Sequence, residues 1–216
     1  MFLSIIFDFD GVILESVPIK TAAFRQLFAF SPDHVDEIVR FHQENGGMSR
    51  FDKFRHIYTN ILHEPLSDEQ FSILSHRFSL LVEKGVSDAP FVNGTMELLR
   101  AISKKYPLYI VSATPQDELI RIARVRRISR FFQGIFGSPL KKQDHIFRII
   151  HENKFDPANV VFVGDAVNDW EAATSCGVKF IARVMPGDTD RFLNLPGVMQ
   201  RIVSMHDLII LLEEDT

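Results

Sequence analysis

The sequence predicts an α/β fold in which a doubly wound parallel sheet is covered by helices on both faces. In the second half of the chain, short apolar segments alternate with segments of helical periodicity, which is typical of parallel sheets. The first strand candidate, Leu3 to Phe7, ends abruptly at acidic residues and a glycine. The long stretch that follows shows helical patterns and no good strand candidate, which predicts a helical domain inserted after the first strand.

Four helices are expected in this insertion. Pro18 favours the start of the first helix, and Ser31 the N-cap of the second, which a Gly-Gly pair ends. A third helix with a broad apolar face begins near Ser49, and Ser67 opens a capping-box sequence for the fourth. We therefore assign 15–87 to a helical cap domain, and 1–14 together with 88–216 to the catalytic sheet domain.

The sheet domain has further strand candidates, separated by helical segments. The strands are expected at 108–111, 135–137, 160–163 and 178–182, and the helices near 93–105, from 114, from 142 and at 168–176. The pattern leaves 192–205 unassigned and favours a solvated acidic tail at 213–215.

Composition and charge disfavour several classes of function. The chain has 216 residues, of which 46% are hydrophobic and 24% charged, as in an ordinary globular protein. A net charge of -4 argues against a general nucleic-acid binder. No apolar run is long enough to span a membrane, no signal peptide is evident, and the single cysteine cannot form an internal disulfide. We expect a cytoplasmic protein without a nucleic-acid or membrane partner.

Acidic residues follow two of the predicted strands. Asp8 and Asp10 follow the first, and Asp165 and Asp169 follow the strand at 160–163. The carboxyl ends of parallel strands meet at one edge of a sheet, where ligands bind. Two carboxylates this close are tolerable if a cation neutralises them or if one keeps a proton. The pattern therefore favours Mg²⁺, one carboxylate as ligand and nucleophile, and the other as general acid.

Groups suited to binding an anion are expected at the same edge. Ser112 and Thr114 follow the second strand with hydroxyl and backbone N–H donors. Lys142 opens a helix whose apolar positions follow it at +4, +7 and +8, and Lys141 is the alternative. A carboxylate that attacks a phosphoryl group needs such a cation, because two negative partners must meet.

The order of these motifs resembles the haloacid dehalogenase-like superfamily of phosphohydrolases. The motifs are Asp8-Phe9-Asp10-Gly11-Val12, a strand ending at Ser112, a lysine, and Gly164-Asp165 followed by Asp169. They are specific in combination and in order. The helical insertion lies where the phosphoglycolate phosphatase and β-phosphoglucomutase-like branch carries its C1-type cap.

The resemblance implies a role for each site residue. Asp8 would form an aspartyl-phosphate and bind Mg²⁺, while Asp10 would act as general acid and base and bind the metal through its backbone carbonyl. Asp165 and Asp169 would complete the metal site, and Lys142 would neutralise charge. The phosphoryl group would contact Gly11, Ser112, Ala113 and Thr114. Family members that cleave carbon–halogen bonds lack an acid at the position of Asp10, which disfavours dehalogenation.

Two cationic residues of the insertion are candidates for substrate contact. Arg50 follows the Gly-Gly turn, which is expected either to lie over the site or to be a plain helix connection with a solvated arginine. Lys20 is a weaker candidate of the same kind. Lys53 and Arg55 are expected to be surface charges, and no histidine has the spacing of a metal ligand.

The expected function is Mg²⁺-dependent hydrolysis of a small phosphomonoester, such as a sugar phosphate or a phosphoglycolate-like acid. Closure of the insertion would exclude bulk water. A phosphomutase shares the motif set and remains open. A receiver-like phosphoacceptor uses similar strand-end acids, but the insertion and Asp10 argue against it. The alternative of a catalytically silent binding protein is disfavoured by the complete set of catalytic residues.

Overall fold

The fold is a parallel α/β sheet with helices on both faces and a helical insertion, as the sequence predicts. A computed structural model describes residues 2–214, and within them six strands form one sheet in the order β3-β2-β1-β4-β5-β6. Every pairing is parallel. The strands are β1 Ser4–Phe7, β2 Leu108–Pro115, β3 Gly134–Ser138, β4 Val160–Gly164, β5 Lys179–Arg183 and β6 Val198–Ile202.

Four α-helices fill the insertion and five cover the sheet, counted within residues 2–214. Those of the insertion are α1 Val17–Leu27, α2 Val35–Glu44, α3 Arg50–His56, which continues into a π-helical turn at Ile57–Ile61, and α4 Asp68–Asp88. Those of the sheet domain are α5 Thr95–Ile102, α6 Gln116–Val125, α7 Lys142–Asn153, α8 Val167–Ser175 and α9 Met205–Glu214.

Strand β1 lies at the centre of the sheet because both of its faces are apolar. All four of its residues are buried, and Ile5 pairs with Leu108 of β2 on one side and Val161 of β4 on the other. The strand order reverses at β1, so the chain leaves it in opposite directions on the two sides. Such a reversal opens a crevice at the carboxyl ends of the strands, and this crevice positions the site.

The insertion has its own aromatic core and is tethered by two paired segments. Phe24 contacts the rings of Phe28, Phe54 and Phe78 at centroid distances of 4.8–6.2 Å. The segment that leaves the sheet domain pairs with the segment that returns. Glu15 N–H donates to Pro90 O at 2.9 Å and Val92 N–H to Ile13 O at 3.1 Å. The two segments that connect the insertion to the sheet domain are therefore hydrogen-bonded to each other.

The C-terminal part differs from the sequence prediction. The unassigned segment contains β6, and the residues expected as a solvated tail end a helix, α9, which packs on α5 through buried Leu208. Asp215 lies outside the described residues. Strand β6 is at the sheet edge and its three central residues are exposed, so it lacks the apolar alternation that marks a strand. No helix within residues 2–214 has the length and apolar character required to cross a membrane.

Candidate active site

Three carboxylates meet at the carboxyl ends of the two central strands. Asp8 follows β1, Asp165 follows β4, and Asp169 lies in the first turn of α8. One oxygen from each lies within 4.8 Å of the others. Asp8 Oδ1 is buried and, among the described residues, has no hydrogen-bond partner. Hard oxygen donors with a free buried lone pair fit a small divalent cation such as Mg²⁺.

The electrostatics of this cluster favour such a cation. Burial, together with the charges of Asp169 and Asp10, raises the pKa of Asp8 to about 7, although Lys142 opposes the shift. Burial also raises the pKa of Asp165, and the neighbouring Asp8 and Asp169 add to the effect. The carboxylates therefore repel one another when all are ionised, and a bound cation would relieve this repulsion.

Lys142 compensates part of this negative charge. Its Nζ lies 2.9 Å from Asp8 Oδ2 and also donates to Asp169 Oδ1. Burial disfavours its charge, but Asp169 and Asp8 outweigh burial and raise the pKa of Lys142. The alternative, Lys141, is exposed. The geometry thus brings Lys142 to the predicted nucleophile.

Asp169 orients its neighbours as well as contributing charge. While Oδ1 accepts from Lys142, Oδ2 accepts backbone N–H groups of Asp165 at 3.2 Å and Ala166 at 3.1 Å. Both oxygens of this predicted metal ligand are thus engaged within the protein. Asp169 thereby fixes Lys142 and the loop that carries Asp165.

Asp10 is held by three donors on the other side of Asp8. It accepts hydrogen bonds from Ser16 Oγ at 2.6 Å, from Thr114 Oγ1 at 2.8 Å and from Lys20 Nζ. Burial opposes ionisation of Asp10, but the Lys20 ammonium and these hydrogen bonds outweigh it and hold its pKa below the usual range. Lys20 belongs to α1, so the structure brings this residue of the insertion into the site.

The loop after β1 can approach β4 closely because position 11 is glycine. Gly11 has a φ of +75°, and a Cβ there would lie 2.1 Å from Asp165 Oδ2, so any other residue would displace the carboxylate. Buried Arg183 donates to Gly11 O at 3.0 Å and pairs with Glu15. Arg183 is a site residue that the sequence does not predict, because nothing in the sequence around it indicates that it contacts this loop.

A cavity of about 470 Å³ lies between this edge of the sheet and the insertion. Ser112, Ala113 and Thr114 line it, and Ser112 Oγ accepts the backbone N–H of Thr114 at 3.1 Å. The turn before α3 also lies over the edge: a Cβ on Gly47 would be 2.9 Å from Asn168 Cβ. The turn therefore lies over the site, as one of its two alternatives expects, while the substrate contact of Arg50 that belongs to this alternative stays a prediction.

Arg50 lines the cavity, but its charge is already paired. Its guanidinium donates to Glu118 of α6 at 2.7 Å and to Ser79 at 2.9 Å, and lies over the ring of Phe78. Arg50 and Glu118 are both buried. Glu118 therefore competes with a substrate for the predicted contact with Arg50. The same ion pair links the insertion to the sheet domain.

The prediction that Lys53 is a surface charge is wrong. Only 2% of Lys53 is exposed, and it lines the cavity. Its Nζ lies 3.0 Å from His42 Nδ1 and 3.2 Å from His42 O. A signal existed in the sequence: positions 50, 53, 54 and 57 have helical spacing and share the face that the structure buries.

The chain is similar to known proteins over most of its length. A family model described as haloacid dehalogenase-like hydrolase matches residues 5–183. Phosphoglycolate phosphatase 1 of Pseudomonas aeruginosa is 23% identical over 184 residues, which cover 82% of this chain and 68% of the relative. The phosphorylated carbohydrates phosphatase of Thermotoga maritima is 25% identical over 222 residues, covering 98% of both chains.

Solved structures show the same fold. The crystal structure of β-phosphoglucomutase from Clostridium difficile superposes with a TM-score of 0.76 at 19% identity, covering 99% of this chain and 96% of the other. At this identity the likeness concerns the fold alone.

Proposed function

We propose, since the chain belongs to the haloacid dehalogenase-like hydrolase family, that it is a phosphatase of small phosphorylated metabolites and acts through an aspartyl-phosphate on Asp8. The observation that carries the proposal is the position of Asp8, buried at the switch point of the sheet between Lys142 and Asp165 and facing the cavity. The phosphatase names of the two sequence relatives support the same reaction class.

A divalent cation, which we propose to be Mg²⁺, would be held by Asp8, Asp165 and the backbone carbonyl of Asp10, with Asp169 beside them. When bound, it would neutralise the carboxylates and the phosphoryl oxygens so that two anions can meet. The unpartnered Asp8 Oδ1 and the raised pKa values of Asp8 and Asp165 support this assignment.

In the proposed first step, Asp8 attacks phosphorus while Lys142 stabilises the negative charge. Ser112 and the neighbouring backbone N–H groups would orient the phosphoryl oxygens. Asp10 must carry a proton to protonate the leaving oxygen, whereas its lowered pKa keeps it ionised beside Lys20. We infer that substrate loosens the Lys20 contact and that Asp10 then takes up the proton.

In the second step, Asp10 would deprotonate the water that hydrolyses the aspartyl-phosphate. Its ionised resting state suits this role, since a base must be free of its proton. The insertion would act as a lid over the cavity. We propose a cytoplasmic site of action and a small metabolite as the partner.

The test is phosphate release from a panel of small phosphomonoesters, including p-nitrophenyl phosphate, with Mg²⁺ or with EDTA. We expect release that requires Mg²⁺ and falls by at least about 10⁴-fold in Asp8→Asn, because the nucleophile is lost. Asp33→Asn, which changes an exposed acid of the insertion, should match the wild type.

Three results would contradict the proposal. Release that persists in Asp8→Asn would exclude the aspartyl-phosphate route. A phosphorylated isomer formed from a sugar phosphate without release would identify a phosphomutase. A phosphoprotein that is stable and does not turn over would identify a phosphoacceptor.

A further inference from the structure

The cavity wall formed by the insertion contains a buried lysine without a carboxylate partner. Lys53 lies on α3, one helical turn beyond Arg50, and contacts only His42 among the described hydrogen-bonding groups. Its Nζ also lies over the ring of Phe24, 5.6 Å from the centroid, at the distance of a cation–π contact. Burying an ammonium is costly unless an anion compensates it.

The other buried or half-buried cations that line the described cavity do have carboxylate partners. Those ion pairs are Lys20–Asp10, Arg50–Glu118, Lys142–Asp8 and Arg183–Glu15. Lys53 is the exception among these side chains. Burial and the charge of Lys20 lower the pKa of Lys53 to about 7, although Asp10 opposes the shift. The protein thus places a lysine at this point without supplying a counter-charge for its protonated form.

His42 adds a second donor beside Lys53. Burial and the Lys53 charge lower the pKa of His42 to about 2, so the ring is neutral. Because Nδ1 accepts from Lys53, the proton of the ring resides on Nε2. The ammonium has three N–H groups, of which two point to His42. One ammonium N–H and the imidazole Nε2–H are therefore left in a wall that both residues line.

We propose that Lys53 and His42 bind an acidic group at the end of the substrate opposite its phosphoryl group. This rests on the proposed phosphatase function and names its substrate class: phosphorylated carboxylic acids are preferred over neutral sugar or polyol phosphates. A carboxylate matches the site in charge and in donor number, since one cation and two N–H donors face the two oxygens of one monoanion. A second phosphate would leave part of its charge uncompensated.

The test uses pairs of substrates that differ only at the far end. 2-Phosphoglycolate is compared with ethylene glycol monophosphate, and 3-phosphoglycerate with glycerol 3-phosphate. We expect the wild type to favour each acid by about ten- to hundred-fold in kcat/KM, the usual strength of a charged hydrogen bond. Lys53→Met should abolish this preference, because it should lower kcat/KM of the acid, mainly through KM, by far more than that of the neutral partner.

Lys84→Met is the matched control, because Lys84 lies on the insertion and its side chain is 90% exposed. It should keep the preference for the acid. Wild-type enzyme that uses the neutral partner equally well would overturn the proposal. A Lys53→Met variant that loses activity on the acid and on its neutral partner to the same extent would also overturn the proposal. So would a variant that melts below the wild type, since either result assigns Lys53 a structural role. Preference for propane-1,3-diol bisphosphate over both acids would contradict the proposal by showing that the site binds a second phosphate rather than a carboxylate.

Failure of the proposed function can be told apart from failure of this inference. p-Nitrophenyl phosphate has no acid at its far end, so its Asp8-dependent hydrolysis tests the phosphatase alone. Calorimetric binding of 2-phosphoglycolate to the Asp8→Asn protein tests Lys53 without turnover. We expect binding that Lys53→Met weakens by about ten-fold or more. Equal binding of the acid and of its neutral partner would refute the inference even if the enzyme is an active phosphatase.

Discussion

The two buried lysines of the cavity, Lys142 and Lys53, have opposite electrostatic surroundings. Lys142, at the edge of the sheet, lies between Asp8 and Asp169, which raise its pKa. Lys53, in the insertion, lies between a neutral imidazole and an apolar ring, and its pKa is lowered to about 7. Both side chains are almost fully buried.

The difference separates two tasks within one cavity. At the sheet edge, Asp8 and Asp169 compensate the charge of Lys142, so this lysine is held in place before a substrate arrives and suits chemistry that is the same for every substrate. The charge in the insertion is uncompensated, so its stabilisation depends on what the substrate brings. We infer that the sheet edge determines the reaction and that the insertion determines the substrate.

The largest effect should come from removing the compensated lysine. Lys142→Met should lower kcat by about 10²- to 10³-fold for acidic and neutral substrates alike, because one stabilising charge is lost. It should also lower the free energy of unfolding by about 3–5 kcal/mol in EDTA, since buried carboxylates lose their partner. Steady-state kinetics and urea unfolding measure the two effects.

Lys141→Met provides the control for this substitution. Lys141 is exposed, so neither kcat nor stability should change. A loss in Lys141→Met, or a Lys142→Met enzyme that is impaired with acids alone, would contradict the division of tasks between the two lysines.

A second effect concerns metal binding at the sheet edge. Mg²⁺ at about 100 times its Kd should raise the free energy of unfolding by about 2.7 kcal/mol. The raised pKa of Asp8 means that the folded protein binds a proton below about pH 7, and this proton competes with the metal. Stabilisation by Mg²⁺ should therefore be larger at pH 8 than at pH 6, as thermal unfolding would show.

Asp165→Asn should remove most of the shift that Mg²⁺ produces, whereas Asp33→Asn should leave it intact. A shift that is the same in Asp165→Asn and in the wild type would place the metal elsewhere.

The smallest effect per unit of pH should come from the uncompensated lysine. The pKa of Lys53 is about 7 in the folded protein and 10.5 for an ordinary lysine. Between these two pH values, the unfolded chain carries a proton on Lys53 that the folded chain has released. The wild type should therefore gain about 1.4 kcal/mol of stability per pH unit relative to Lys53→Met as the pH rises through this range. Urea unfolding at several pH values measures the difference, and a difference that does not vary with pH would refute the assignment.

The sequence predicts the sheet edge well because its signals are local. Each of Asp8, Asp165 and Lys142 directly follows or opens an element with a clear apolar pattern. Parallel strands then bring these ends together whatever the intervening chain does. The choice of Lys142 over Lys141 followed from the apolar face of a single helix.

The insertion is less predictable because its contacts are made between elements. The partner of Arg50 is Glu118, which lies 68 residues away on α6, and no local pattern links the two. Lys53 shares the buried face of α3, but a lysine is normally exposed. Only the tertiary structure of the insertion shows that its ammonium lies against His42 of α2.

The most direct test of the account is to locate the phosphoryl group after turnover is stopped by acid. A substrate that releases phosphate is mixed with Mg²⁺ and the enzyme, the protein is digested, and the phosphorylated peptide is mapped by mass spectrometry. With p-nitrophenyl phosphate, whose leaving group needs no protonation, we expect an acyl-phosphate on Asp8 that is absent from Asp8→Asn and accumulates in Asp10→Asn, where water is no longer activated. A phosphoryl group on another residue, or hydrolysis without any phosphorylated enzyme, would contradict the assignment of the chemistry to this edge of the sheet.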